Sequence, residues 1–384
     1  MVSDFRDVIA GDDHGHRIDL ESLIDRDVRG NPEAAPFIIS RHSPSTRRTR
    51  NRKASLPLST RTRRYAISTL TLQYEEIAAV INPDKVIEAI QEVFGQFYRG
   101  EVQIPFPYHF EPTGESIVHI KSAVRVGDRY VVKVASYFPG NQAKGLTNIL
   151  GLVMLFDGST GRPAAVLFDN GLLTHHRTGA AGAIGARALA RKESQSALVI
   201  GAGMQGTLQI DYLLRVRSIK TVAVCDSDRA VADVYLKKQS EKHGGVEFRL
   251  AGDLGEECKK ADIIVTATPS RQPIVMAEWI LPGTHVTAIG SDNPGKQELD
   301  PALLKMAIYV TDSTPQCAKN GELQHAKAAG IMTEADVYAE IGAIVAGEKL
   351  GRMDPESITV FDSTGLGAQD LAIVNLVHES YRKA

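Results

Sequence analysis

The chain has 384 residues, 43% of them apolar and 23% charged, and a formal net charge of −2. That is ordinary globular composition, long enough for two domains, without the charge excess that draws a protein to nucleic acid or a membrane surface. Three scattered cysteines, Cys225, Cys258 and Cys317, form no CxxC pair; this argues against a disulfide framework or zinc site and for a reducing compartment, the cytoplasm.

In chain order, residues 1–40 are rich in Asp, Arg and Gly without clear periodicity, and "RHSPSTRRTRNRKASLPLSTRTRR" follows, dense in Arg, Ser and Thr. Residues 1–64 read as a disordered extension, with a basic binding arm as the alternative. Acids among the first 30 residues fit a transit peptide poorly, and the basic-then-apolar opening of a secretory signal is missing. No apolar run approaches the length of a membrane span.

Order is expected from about Tyr65. "NPDKVIEAIQEVFGQFYRG" has a good N-cap in Asn82, Pro83 in the first turn, and an apolar face of Val86, Ile87, Ile90, Val93, Phe94 and Phe97, so an amphipathic helix is expected. "ESIVHIKSAV" and "RYVVKVASYF" read as strands joined at Gly127 and Asp128, and "GLVMLFDGSTGRPAAVLFD" reads as a hairpin. From Ser196 the grammar becomes strand, helix, strand, helix: "SALVI", "TVAVC", "VEFRL", "ADIIVTAT", "HVTAIG" and "AIYVTD" are short apolar runs. That pattern points to a parallel sheet covered on both faces. After residue 320 a helical stretch, the run "ITVF" and a final helix are expected to return to the first domain. The expected division is 65–195 with 321–384, a substrate-binding and dimerisation domain formed from both chain ends, around a dinucleotide-binding domain at 196–320.

The strongest motif is "ALVIGAGMQG", a strand running into Gly201, Gly203, Met204, Gln205 and Gly206 and then a helix, "TLQIDYLLRV". Gly201 permits the tight turn, Gly203 lets backbone approach a pyrophosphate at the helix N-terminus, and Gly206 permits close helix–strand packing. The next strand ends in Asp226, twenty residues after Gly206. A carboxylate there accepts from the adenosine ribose hydroxyls and repels a 2′-phosphate, so NAD is expected over NADP; Arg229 nearby keeps NADP as the alternative.

In such a sheet ligands bind beyond the carboxyl ends of the strands. Thr266 and Thr268 sit at one such end, and Ser291 and Asp292 at another, in "HVTAIGSDNPGKQELD". Asp292 is either a proton carrier facing the nicotinamide or a turn carboxylate capping the helix that starts near Asp300. Lys133 lies in the apolar strand "YVVKVAS", on a face with Val131 and Ala135, and Lys121 in "IVHIKSAV" is similar, sharing a face with Ile117 and His119. Each faces either solvent or a ligand. Arg177 opens an Ala- and Gly-rich helix, where an arginine opposes the dipole and so needs another use; capture of a substrate carboxylate is one. His175 and His176 adjoin it and read as structural. No residue pattern makes a case for a metal.

Five blocks, "LFDNGLLTHHRTGAAGAIGARALA", "VIGAGMQG", "SDNPGKQELDPALL", "GELQHA" and "FDSTGLGAQDLA", resemble the ornithine cyclodeaminase/mu-crystallin family, over about residues 65–384. "HIKSAV", "GLTNILGLVMLFDGSTG" and "VTAIGSDNPGKQELDPA" are similar to a branch that includes the ectoine-utilisation cyclodeaminase-like proteins. The resemblance implies an α/β fold: a Rossmann NAD(P)-binding domain and a second, α+β domain for substrate and for homodimerisation through its sheets. It implies chemistry at the α-carbon of amino acids. Cyclodeaminases of the family pass hydride from Cα to NAD, form a ring with loss of ammonia, and take the hydride back; other members are amino-acid dehydrogenases or imine and ketimine reductases. By motif, Lys133 matches the substrate lysine, Arg177 the carboxylate-binding arginine, and Asp292 the catalytic acid or base. "FDSTG", with Thr364 and Gly365, is placed by the nicotinamide.

The sequence departs from the family in two places. "IPFPYHFEP" lacks the Arg of many members, and the strand that carries a Glu in ornithine-specific members reads "IVHIKSAV", with His119 and Lys121 and no acid. A cation there repels a distal ammonium, which argues against ornithine and for a small or acidic amino or imino acid. The leading expectation is an NAD-dependent amino-acid dehydrogenase or imine reductase, with Arg177 and Lys133, joined by Lys121, on the α-carboxylate. The alternatives are a cyclodeaminase and a non-catalytic, mu-crystallin-like ligand-binding protein.

Overall fold

A computed structural model describes residues 69–383; the extension expected over 1–64 lies outside them. Two sheets organise the chain. The first takes β1 (Leu70–Leu72), β2 (Val102–Gln103), β3 (Tyr108–Phe110), β4 (Ile117–Arg125), β5 (Arg129–Tyr137), β6 (Ile149–Asp157) and β7 (Pro163–Leu167), in the order β1-β7-β6-β5-β4-β2 with β3 also on β4. All its pairings are antiparallel except β1 on β7. Before and after the hairpins run α1 (Tyr74–Val80), α2 (Pro83–Tyr98) and α3 (Leu172–Leu189). In α2 the side chain of Asn82 accepts from the N–H groups of Asp84 and Lys85, at 3.0 and 3.3 Å, meeting two donors the helix itself cannot satisfy. Val86, Ile87, Ile90, Val93 and Phe94 of that helix are buried against Val131, Val153 and Leu155 of the sheet in one apolar core. Each such side chain removed from water contributes about 1.5–3 kcal/mol.

The second sheet is wholly parallel, with strands β8 (Ser196–Ile200), β9 (Thr221–Cys225), β10 (Glu247–Leu250), β11 (Ile263–Thr266), β13 (His285–Ala288), β15 (Ile308–Thr311), β16 (Ala339–Glu340) and β17 (Thr359–Asp362). A small pair, β12 (Arg271–Val275) with β14 (Gln297–Leu299), lies beside it. Helices α4 (Met204–Leu213), α5 (Arg229–Lys242), α6 (Leu254–Lys260), α7 (Pro301–Met306), α8 (Thr314–Asn320), α9 (Leu323–Ala328) and α10 (Ile341–Val345) connect the strands, and α11 (Gly367–Lys383) closes the chain. The order is β10-β9-β8-β11-β13-β17-β15-β16. The order in which strands are added to the sheet reverses between β8 and β11, which opens a crevice beyond their carboxyl ends, the position where doubly wound sheets bind ligands.

The structure corrects the expected return of the chain after residue 320. The "ITVF" strand, β17, is inserted between β13 and β15 of the parallel sheet. All four of its residues are buried, as a strand covered on both faces requires. The return is made by the helices: α10 packs on α2, and α11 packs against β4, β5 and β6 of the first sheet. The loop from β17 to α11 therefore carries "STGLG" from one sheet to the other, and the candidate site forms along it.

Candidate active site

Beyond β8 and β11 lies a cavity of about 540 Å³ lined by Gly201, Gly203, Asp226, Ser227, Thr268, Pro269 and Ser270 among others. Gly201 has φ +100°, and a Cβ on it would sit 2.5 Å from the carbonyl oxygen of Ala267. A Cβ on Gly206 would lie 1.9 Å from the Gly201 carbonyl oxygen, while one on Gly203 would meet nothing within 4 Å. The loop is thus closed toward the protein and open toward the cavity. Gly203 is the N-cap of α4 and offers no side-chain acceptor to the first-turn N–H groups, including those of Met204 and Gln205. Those donors and the dipole favour an anion. Asp226 accepts from the N–H groups of Ala202 (2.8 Å) and Asp228 (2.9 Å), one on each oxygen, so each keeps a lone pair for a ribose hydroxyl. Arg229 pairs with Asp233 at 2.8 Å on the surface of α5. The residues present fit a dinucleotide.

Other positions expected around the cofactor are spent on the protein itself. The Thr266 hydroxyl is fully buried and donates to Glu298 at 2.7 Å; Glu298 also accepts from Thr268 and from the N–H of Gly290, tying β11 to the end of β13. The Ser291 hydroxyl is buried and donates to the carbonyls of Lys296 and Asn320. The Thr364 hydroxyl is held between Asp312 and Gln316, and the side chain of Gln205 turns to His175 Nδ1 at 3.0 Å. The side chains of Thr266, Ser291, Thr364 and Gln205 thus bond within the protein, and Thr268 lines the cavity.

The second half of the site is a buried charge cluster. Lys133 Nζ lies 2.8 Å from Asp370 Oδ1 and 3.1 Å from Thr174 Oγ1. Arg177 Nε stands 3.4 Å from the same Asp370 oxygen, and its Nη1 donates to Gln369 Oε1 at 3.2 Å. The Lys133, Arg177 and Asp370 side chains are 4%, 6% and 2% exposed, so Lys133 faces neither solvent nor an empty core but a carboxylate 237 residues away. Burial raises the Asp370 carboxyl, but Lys133 and Arg177 outweigh it and hold it below its ordinary pKa. Burial lowers the Lys133 ammonium, opposed by Asp370. Arg177 sits in the second turn of α3, not at its start, so the helix dipole does not bear on it. A Cβ on Gly365 would lie 2.3 Å from Arg177 Nη1; glycine there is what lets the guanidinium in. Three buried polar atoms of this cluster, Arg177 Nε, Gln369 Nε2 and Asp370 Oδ2, have no hydrogen-bond partner. Two donors and one acceptor are thus left unsatisfied in the protein's interior, which native structures rarely tolerate without a reason.

Lys121 stands directly opposite Lys133 in the β4–β5 ladder. Its Nζ donates to the carbonyls of Gly365 (2.8 Å) and Thr364 (3.3 Å). Burial, with Arg177 and Lys133 close by, pulls its pKa down to about 8. His119, two residues back on the same face, is pushed by burial to about 4 and is neutral at physiological pH. Asp292 reaches this end of the cluster, where Lys121 and His119 act on it electrostatically. It lies in the loop after β13 and caps no helix; the N-cap of α7 is Asp300. Its Oδ1 accepts from Lys296 Nζ at 2.7 Å and from Asn293 at 3.1 Å. Burial raises its carboxyl, but Lys296, Lys121 and His119 together hold it below the ordinary value. His176 bonds the Tyr212 hydroxyl at 2.9 Å and stays out of the cluster. Among the described residues no group of three His, Cys, Asp or Glu is placed to hold a metal ion.

Asp370, Gln369 and Thr174 were not legible as site residues. In sequence Asp370 is an acid in the first turn of a helix, a position that favours acids for the dipole alone.

A parallel sheet with a glycine-lined crevice, together with a buried lysine–arginine–aspartate cluster, defines a two-lobed dinucleotide-binding protein. The chain belongs to the ornithine cyclodeaminase/mu-crystallin family, whose model matches residues 68–384. An alanine dehydrogenase of Archaeoglobus fulgidus is 38% identical over 82% of this chain and 95% of its own length. The structure of an archaeal alanine dehydrogenase dimer with bound NAD superposes with a TM-score of 0.77, at 37% identity, covering 82% of this chain and 96% of that one. The iminosuccinate reductase of Paracoccus denitrificans, solved with NAD+, gives a TM-score of 0.76 at 35% identity, covering 82% and 97%.

Proposed function

We propose that the protein is an NAD-dependent enzyme that interconverts a small α-amino acid and the corresponding α-imino acid. The carrying observation is the cluster of Lys133, Arg177 and Asp370 with unpartnered donors, set at the loop that leaves the dinucleotide-binding sheet. The named relatives, an alanine dehydrogenase and an iminosuccinate reductase, describe this kind of step. NAD, when bound, takes or gives the hydride at the α-carbon. Asp226 and the Gly201–Gly206 loop hold its adenosine and pyrophosphate. Arg177 and Lys133 bind the α-carboxylate, with Asp370 balancing their charge in the absence of substrate. Asp292 stays ionised at neutral pH, held so by Lys296, and takes the proton from nitrogen or water in one direction and returns it in the other. Lys133 keeps the substrate end of the site charged and oriented as this happens.

We infer a homodimer through the outer face of the first sheet. On that face Ile120, Val132, Val134, Leu152, Met154 and Phe156 are half-buried and belong to none of the apolar cores. The three cysteines are free thiols, which fits a cytoplasmic enzyme. The test of the reaction is isotopic: NADH deuterated at the transferring position, with pyruvate and ammonia or oxaloacetate and ammonia, should give an amino acid carrying deuterium on Cα. An amino acid without it, or no product from either pair, overturns the reading.

A further inference from the structure

We infer that the substrate is a dicarboxylic amino or imino acid, and that Lys121 is the specificity residue that binds its second carboxylate. This rests on the reaction proposed above and adds the substrate class. Three cations, Lys121, Lys133 and Arg177, converge at the site; among the described residues one carboxylate, Asp370, is in contact with Lys133 and Arg177, and Asp292 and Asp169 act from farther off. Asp370 Oδ1 is already shared by Lys133 and Arg177. Among the described residues Lys121 has no carboxylate within ion-pair distance; the two groups that hold it, the carbonyls of Thr364 and Gly365, leave one of its three protons unassigned. Placing two lysines opposite each other on neighbouring strands is unfavourable, the more so when both are shielded from water. An arrangement of that kind persists where a ligand supplies the missing anion.

One carboxylate of a substrate meets Arg177 and Lys133. A monocarboxylic amino acid carries no net charge and leaves the excess of cations unanswered. A second carboxylate one or two carbons away reaches Lys121, which is one cross-strand step from Lys133. His119 follows Lys121 on the same face and, being neutral, adds a second donor for that carboxylate at no charge cost. The distal ammonium of a diamino acid would meet the Lys121 ammonium instead. Asp292, which acts on Lys121 electrostatically, is itself paired with Lys296 at 2.7 Å and is in direct contact with neither Lys121 nor Lys133.

The experiment reads binding, so that it stands whether or not a given substrate turns over. Succinate and propionate, which cannot react, are titrated calorimetrically into the full-length protein saturated with NAD+. The wild type is expected to bind succinate about tenfold or more tightly than propionate, the worth of one charge-assisted contact. Lys121→Met should bring the two affinities within about twofold of each other, and Lys121→Arg, which keeps a cation, should keep the preference for succinate. Equal binding of the two acids by the wild type, or a preference that survives in Lys121→Met, overturns the inference. Should the methionine variant not fold, the wild-type comparison alone still decides. Failure of the reaction itself shows separately, as no deuterium transfer from NADH to Cα.

Discussion

Asp370→Asn tests the buried cluster most sharply. The change keeps side-chain volume and one acceptor oxygen but removes the only carboxylate among the described residues in contact with Lys133 and Arg177, at 2.8 and 3.4 Å. Taking one partner from a buried ion pair costs about 3–5 kcal/mol, because the remaining charge stays desolvated. The retained Oδ1 acceptor puts this variant at the lower end, about 3 kcal/mol. For a chain of this size that corresponds to a fall in Tm of roughly 4–5 °C. Calorimetry without substrate measures it. The double variant Lys133→Met with Asp370→Asn removes one of the stranded cations and should recover at least about 1 kcal/mol of the summed single losses. A single variant within about 0.5 kcal/mol of wild type, or strict additivity in the double, refutes the claim that Asp370 balances the two cations.

Asp226→Ala should weaken NAD far more than NADP, because it removes the ribose acceptor and the repulsion of a 2′-phosphate together; fluorescence titration with NADH and NADPH checks this, and equal losses would remove Asp226 from the choice. Asp292→Asn should leave NADH binding near wild type and lower kcat by about 10²–10⁴, the usual worth of a general acid or base; an unchanged kcat excludes it from the proton transfer. The Lys121 ammonium, lowered by burial to about 8, is charged below that pH and neutral above it. Arg177 and Lys133 lower it while Asp370 and Asp292 raise it. Succinate affinity should therefore be full at pH 7 and fall as pH rises through about 8. Because a bound anion raises that pKa, succinate binding near pH 8 should take up protons; flat affinity from pH 7 to 9.5 would contradict the assignment.

Much of this was legible in the chain because the signals are local. GAGMQG needs only its own strand, turn and helix to be read, and the apolar face of Pro83–Tyr98 repeats at helical spacing. The alternation of apolar runs after Ser196 marks six of the eight strands of the parallel sheet, all but β16 and β17. What was not legible depends on partners far apart in sequence. Lys133 has its counter-ion in Asp370, and nothing in either neighbourhood marks the pairing. Strand β17 reads as a return to the first sheet because its insertion between β13 and β15 is a property of the whole sheet. Thr266 and Ser291 stand at strand ends where hydroxyls commonly face ligands, and only the structure shows Glu298 and the Asn320 carbonyl claiming them. Asp292 read as an even choice between turn and proton carrier. The structure removes the helix cap, gives that role to Asp300, and sets Asp292 beside His119 and Lys121.

The most direct test of the central claim follows reduced nicotinamide and ammonia together in one reaction mixture. With NADH, ammonia and oxaloacetate the account predicts that NADH and ammonia are consumed one for one as an amino acid forms. With NAD+ and L-ornithine it predicts no release of ammonia. Release of ammonia from L-ornithine with no net change in NADH would make the protein a cyclodeaminase and contradict the account.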